Sequence, residues 1–206
     1  MLNGLFTARK RSERIPVFPL KTVLFPGGRL PLRVFEQRYM DMVKTCLKDE
    51  RPFGICGIVS GNEVGVPATF EGIGTIARIL SWDMPQLGIL SLVTEGGARF
   101  KVAARETLRS GLAVAEVTLL DEEEAGGAAP PPADLVELLK RLIERVGAAH
   151  FGEERRYEDA NWVSYRLAEI LPMKPSIKQK LLEVNDSEVR LRVIAEFIRL
   201  QGIAPR

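Results

Sequence analysis

Residues 15–39 read IPVFPLKTVLFPGGRLPLRVFEQRY, and the fold is decided in this stretch. Ile15-Pro16-Val17 and Leu30-Pro31-Leu32 are short apolar runs, each holding a proline that has no N–H to give a ladder. Both therefore read as strands at a sheet edge, or as strands paired on one side only. Pro26-Gly27-Gly28 is the turn between them, proline presetting the first corner and glycine accepting the positive φ that follows. From residue 34 the period changes. Phe35, Tyr39, Met42, Val43, Cys46 and Leu47 recur at helical spacing while Glu36, Arg38, Asp41 and Lys44 take the opposite face, so residues 34–47 are expected to form an amphipathic helix packed on the sheet.

Downstream, apolar and β-branched runs punctuated by glycine and proline predict strands over residues 53–59, 72–80, 87–94, 99–104 and 113–120. Their hairpin-length connections favour a small, partly closed barrel. Composition changes at Asp121-Glu122-Glu123-Glu124, followed by a Gly/Ala run and Pro130-Pro131-Pro132, a solvated and then stiff connection. The expected organisation is a β-rich domain over residues 1–124, a linker over 125–133 and a helical bundle over 134–206. In the bundle, Asp134 is expected to cap a helix whose face is Leu135, Leu138, Leu139, Leu142, Ile143 and Val146, ended by Gly147. A second helix spans residues 161–171. Ser176 and Gln179 have the spacing of a capping box for a third. Asp186 or Ser187 caps a fourth, lined by Val189, Val193, Ile194, Phe197 and Ile198.

A chain of 206 residues with 46% hydrophobic content is long and apolar enough for one sizeable core or two modest ones. Twenty-nine basic and 27 acidic residues leave a net charge of +2, too small for a field that would gather nucleic acid or an anionic membrane. The first residues lack the apolar stretch of a signal peptide. No apolar run approaches the roughly 20 residues that cross a bilayer. The two cysteines, Cys46 and Cys56, make no disulfide framework. These features predict a cytoplasmic protein with no membrane partner.

The quoted stretch, continued by Arg51-Pro52-Phe53-Gly54, by residues 72–79 (GIGTIARI), by Ala98-Arg99-Phe100-Lys101-Val102, and in the tail by Leu171-Pro172-Met173 and residues 178–183 (KQKLLE), resembles the amino-terminal domain of Lon proteases over nearly the whole chain. That resemblance implies an α+β fold: a β-rich, PUA-like pseudobarrel with one packed helix, followed by a C-terminal helical bundle. It implies a module that engages unfolded or damaged proteins, or acts as an adaptor to a protease or chaperone. It does not imply proteolysis, because Lon's ATPase and its serine-lysine peptidase follow this region.

The residues themselves point away from catalysis. A nucleotide motor needs a glycine-rich loop ending in Gly-Lys, and no Gly-Lys pair occurs. Gly72-Ile73-Gly74 lacks the third glycine of a dinucleotide fingerprint. The only histidine, His150, lies in the helical half, away from both cysteines in sequence, so neither a cysteine nucleophile nor a zinc site is expected. Ser60, Ser164 and Ser176 have no nucleophile elbow. The expectation is no catalytic residue, cofactor or metal. Candidate polypeptide-binding residues are Trp82, Met84 and Leu87, placed around an expected hairpin loop at residues 81–87, and Leu24 and Phe25 beside the Pro26 turn. Adaptable apolar side chains outside the core suit promiscuous binding, against the alternative that they fold back onto the barrel. Two further readings are RNA binding through the basic arm Arg9, Lys10, Arg11 and Arg14, which the balanced charge disfavours, and peptidase-related activity through a partner.

Overall fold

The computed structural model describes residues 12–121, 129–147, 151–152 and 154–203. Arg9, Lys10, Arg11, Glu122 to Glu124, residues 125–128 of the expected linker and His150 lie outside the described residues. Six strands are followed by four helices, with one helix between the second and third strands: β1 Glu13–Leu20, β2 Arg29–Val34, α1 Gln37–Lys48, β3 Phe53–Ser60, β4 Thr69–Gln86, β5 Ile89–Thr107, β6 Ala113–Leu119, α2 Ala133–Val146, α3 Ala160–Ile170, α4 Pro175–Glu183 and α5 Ser187–Leu200.

The sheet order is β2-β5-β4-β3-β1-β6, and β5 also pairs with β6. Five strands therefore close on one another, and β2 is appended outside the ring. Length makes this possible. β5 runs for 19 residues, pairing with β2 from Ile89's end up to Glu95 and with β6 from Phe100 onward. All pairs are antiparallel except β1 with β3. The expectation of one-sided pairing holds for β2, whereas β1 lies between β3 and β6 and meets it only at its prolines. Pro16 is opposite Val114 on β6 and Pro19 is opposite Cys56 on β3, so β1 changes partner between its two prolines and each is paired on one side. Pro31 sits in β2, which pairs only with β5. Inside the ring Phe100 is fully buried, and a Cβ at either Gly54 or Gly74 would come within 2.7 Å of its ring. Both glycines are thus required by the close approach of this aromatic.

Helix α1 packs Tyr39, Met40, Met42, Val43 and Cys46 on the sheet face opposite the one that bears Phe100, against Phe18, Leu32, Val34, Phe53, Leu90 and Leu92. It starts three residues later than the periodicity predicts, with Glu36 at the N-cap, so Phe35 stands outside the helix. The other helices build another core that takes in Phe25 from the β half, with Val23 and Ile73 packed against it. Several local expectations need correction. Ser176 does not cap α4, whose N-cap is Lys174 with Pro175 as the first helical residue. Gln179 instead donates to the Ile73 carbonyl of the barrel at 3.1 Å. Asp134 lies inside the first turn of α2, where its charge meets the positive end of the helix dipole. Val146 and Val193, expected on inner faces, are exposed. Asp186 caps α5 as expected, accepting from the amides of Glu188 and Val189.

Candidate polypeptide-binding face

Strands β4 and β5 extend beyond the ring as a hairpin arm turned by Leu87 and Gly88, the glycine at φ 82°, with β2 paired along the outer side of β5. Residues 81–86, expected as a loop, are therefore strand: Trp82 is opposite Leu92, Asp83 is opposite Ser91 and Gln86 is opposite Ile89. Leu92 is in turn opposite Leu32 of β2, so Trp82, Leu92 and Leu32 form one row across three strands, and directly opposed side chains share a face. Leu92 and Leu32 are buried, while Trp82 at the outer end of the row is 56% exposed. Leu80 and Met84 are exposed on the same strand, and Leu87 at the tip is 92% exposed. The sheet face that elsewhere forms the core thus runs out into solvent along this arm.

Leu24 and Phe25 are not part of any surface; both are buried. The turn that carries them is clamped. Gly27 N–H donates to the Gly96 carbonyl at 2.7 Å, Gly96 N–H donates to the Gly28 carbonyl at 2.9 Å, and Arg166 donates to the Pro26 carbonyl at 2.9 Å. Leu24 joins the barrel core and Phe25 the helical core, where its ring lies 5.7 Å from that of Tyr165. Of the five candidate residues, the structure brings together Trp82, Met84 and Leu87.

A second apolar feature was missed in the sequence. A cleft of about 300 Å³ is lined by the whole run of residues 30–36, by Phe18, Leu20 and Thr22 of the β1 end, by Tyr39 of α1 and by Glu63 and Val64. Phe35, 54% exposed, and Val64 stand at its rim, and Val66 is exposed in the same 61–66 segment. The walls are pinned. The Glu36 carboxylate accepts from Arg38 at 3.1 Å and from Gly65 N–H at 3.2 Å, and Glu63 accepts from Lys21 N–H at 2.6 Å. Burial pushes the Tyr39 phenol up, so it stays neutral in the floor. The only available signal was that Phe35 precedes an N-cap, and helical periodicity absorbed it.

Cysteine chemistry finds no support here. Cys46 and Cys56 are buried and free, and burial pushes the Cys56 thiol up to about 12, the direction opposite to that of a reactive thiolate. Among the described residues, no helix is long and apolar enough to cross a membrane.

Comparison with known proteins gives the arm and cleft a context. Lon protease 2 of Myxococcus xanthus is 24% identical over 204 residues, covering 95% of this chain and 24% of that protein. Lon protease of Anaeromyxobacter dehalogenans is 27% identical over 193 residues, 89% of this chain and 23% of its own length. The chain therefore spans about a quarter of these relatives, and the match is to the N-terminal substrate-binding part of Lon, not to its catalytic protease domain. Among solved structures, the Lon N-terminal domain protein from Xanthomonas campestris superposes with a TM-score of 0.73 at 30% identity, covering 89% of this chain and 98% of that one. The N-terminal domain of Mycobacterium avium complex Lon protease shares the fold, with a TM-score of 0.63. The family described as the ATP-dependent protease La (LON) substrate-binding domain matches residues 14–199, and the chain belongs to it.

Proposed function

We propose that this chain is a non-catalytic polypeptide-binding module that engages exposed apolar segments of unfolded or damaged proteins, acting in its own right or as an adaptor to a protease or chaperone in the cytoplasm. The observation that carries the reading is the arm: Trp82, Met84 and Leu87 project from a sheet whose inner face is otherwise core. A Trp and a Met in an exposed cluster are the residue types that recognition surfaces favour. Membership of a substrate-binding family supports a protein client.

The test is fluorescence anisotropy, without nucleotide, of a labelled reduced and carboxymethylated lactalbumin against its native form, with a labelled RNA alongside. Binding of the unfolded form is expected, and the W82S/M84S/L87S variant should weaken it by at least about tenfold, since a buried interface aromatic alone is worth roughly 2 kcal/mol. Equal, negligible binding to both forms of lactalbumin would sink the proposal. Binding of the RNA alone would replace it with a nucleic-acid reading.

A further inference from the structure

Strand β2 is the end strand of the sheet and pairs only with β5. Gly96 N–H donates to the Gly28 carbonyl and Thr94 Oγ1 donates to the Leu30 carbonyl, both at 2.9 Å, so residues 28 and 30 turn their carbonyls toward β5. Backbone direction alternates in an antiparallel ladder. The amide and carbonyl of Arg29 and Arg33, and the carbonyl of Pro31, therefore face the open side, and the one N–H that proline lacks is an outward one. The cleft lies along this open side. Six consecutive residues, 30–35, line it, whereas a cleft on either face of a strand would meet only alternate residues.

We infer that the open edge of β2 takes up one extended segment of the client as an added strand, with apolar side chains entering the cleft and acidic ones facing Arg33. This rests on the polypeptide-binding reading and adds the mode of recognition. The alternation decides the client's chemistry. Leu32 and Val34 are buried and Arg33 is exposed, so a client residue opposite Leu32 or Val34 points toward Phe18 and Tyr39, and one opposite Arg33 shares its solvent face. Among the described residues Arg33 has no ion pair or hydrogen bond, whereas the acidic groups at the cleft, Glu36 and Glu63, already accept from Arg38, Gly65 and Lys21. The unmatched charge at the edge is positive, and an acidic side chain complements it. Along the cleft, Pro31 and Arg33 leave two carbonyls and one amide for the client. That is enough for pairing in the mode of β-strand addition, and too few for the unlimited edge-to-edge growth that a full edge invites.

The experiment uses two synthetic peptides, one alternating Val and Glu and one alternating Val and Lys, with binding read by anisotropy and amide exchange by NMR. The Val/Glu peptide should bind more tightly and slow exchange at Arg33. R33P removes one outward N–H without touching the β5 ladder, and R33Q removes the charge but keeps the N–H. R33P should bind about threefold to tenfold more weakly than R33Q, the effect of one hydrogen bond, with an unchanged thermal midpoint. A Val/Glu peptide N-methylated at alternate backbone amides should fail to bind the unaltered protein, which tests strand addition even if R33P folds poorly. Equal binding by R33P and R33Q, binding without protection of Arg33, or protection that rises with protein concentration in the absence of peptide would each overturn the inference, the last assigning the edge to a second copy of this chain. Unfolded lactalbumin that is lost by W82S/M84S/L87S but retained by R33P would overturn the edge while leaving the broader function standing.

Discussion

Arg99, Arg166 and Arg190 are among the largest fully buried side chains of the protein, and each fastens one part of the chain to another. Arg99 of β5 donates to the Leu182 and Val184 carbonyls and to Asn185 Oδ1 at the end of α4. Arg190 of α5 donates to the Val184 and Asn185 carbonyls, to Ser164 Oγ and to Asn161 Oδ1, and its guanidinium lies 4.2 Å from the Tyr165 ring. These bonds compensate the buried charge of Arg190, and truncating it strands its acceptors as well. Arg190→Met should therefore cost roughly 3 kcal/mol or more of stability by urea unfolding; a change under about 1 kcal/mol would show that the network is dispensable. Cys56 predicts a pH effect. Its thiol is held neutral by burial, up to about 12, while in the unfolded chain it ionises near 8.5. The native state's advantage is complete below that unfolded value and falls by about 1.4 kcal/mol per pH unit as pH climbs from there toward about 12. Urea unfolding of Cys56→Ala should lack that part of the alkaline slope, and parallel slopes in the two proteins would refute the assignment.

At the level of elements, the two helix starts near Ser176 and Asp186 show how far local sequence signals reach. Asp186 accepts from two first-turn amides, so Asp186→Ala should cost about 1 kcal/mol. Ser176 has the right spacing to cap α4, but Pro175 starts the helix two residues earlier than such a cap would, with Lys174 at the N-cap, and Gln179 is drawn to the barrel. Ser176→Ala should stay within about 0.5 kcal/mol; equal losses in the two variants would contradict these helix starts. The same contrast runs through the fold. The prolines of β1 and β2, the α1 period and the Asp186 cap were legible because a neighbour or two in sequence determines each. The arm was half legible. The apolar residues at 82, 84 and 87 stood out, but residues 81–87 read locally as a hairpin loop, and only pairing with Leu92 and Ser91 across the ladder makes the segment strand. Leu24 and Phe25 were misplaced because their burial depends on Gly96 and Tyr165, distant in the chain. The cleft along β2 was invisible for the same reason, since its walls come from four separate segments.

For the whole molecule, we propose that the boundary expected near residues 124–134 separates two kinds of structure without separating two independent folding units. The helical core closes over Phe25, which is 0% exposed; Arg166 reaches back to the Pro26 carbonyl, Gln179 to Ile73 and Arg99 forward to the end of α4. Removing the helices would expose Phe25 and strip Arg99 of the carbonyls that hold it, a loss that weighs heavily against the whole stability of a small domain, about 5–15 kcal/mol. The two tryptophans report on the two halves, Trp82 on the arm and Trp162 in α3. Single-tryptophan variants W82F and W162F should therefore show coincident urea transitions, each matching the loss of far-ultraviolet circular dichroism. A fragment of residues 12–121 should lack a cooperative transition. Two separated transitions, or a fragment that unfolds cooperatively on its own, would mean that the buried arginines decorate an interface between independent domains. In that case client binding at the arm could not be sensed by the helices. With one cooperative unit, a client strand added at β2 or packed on Trp82 is bound by a sheet that is rigidly continuous, through β5 and Arg99, with the helical core.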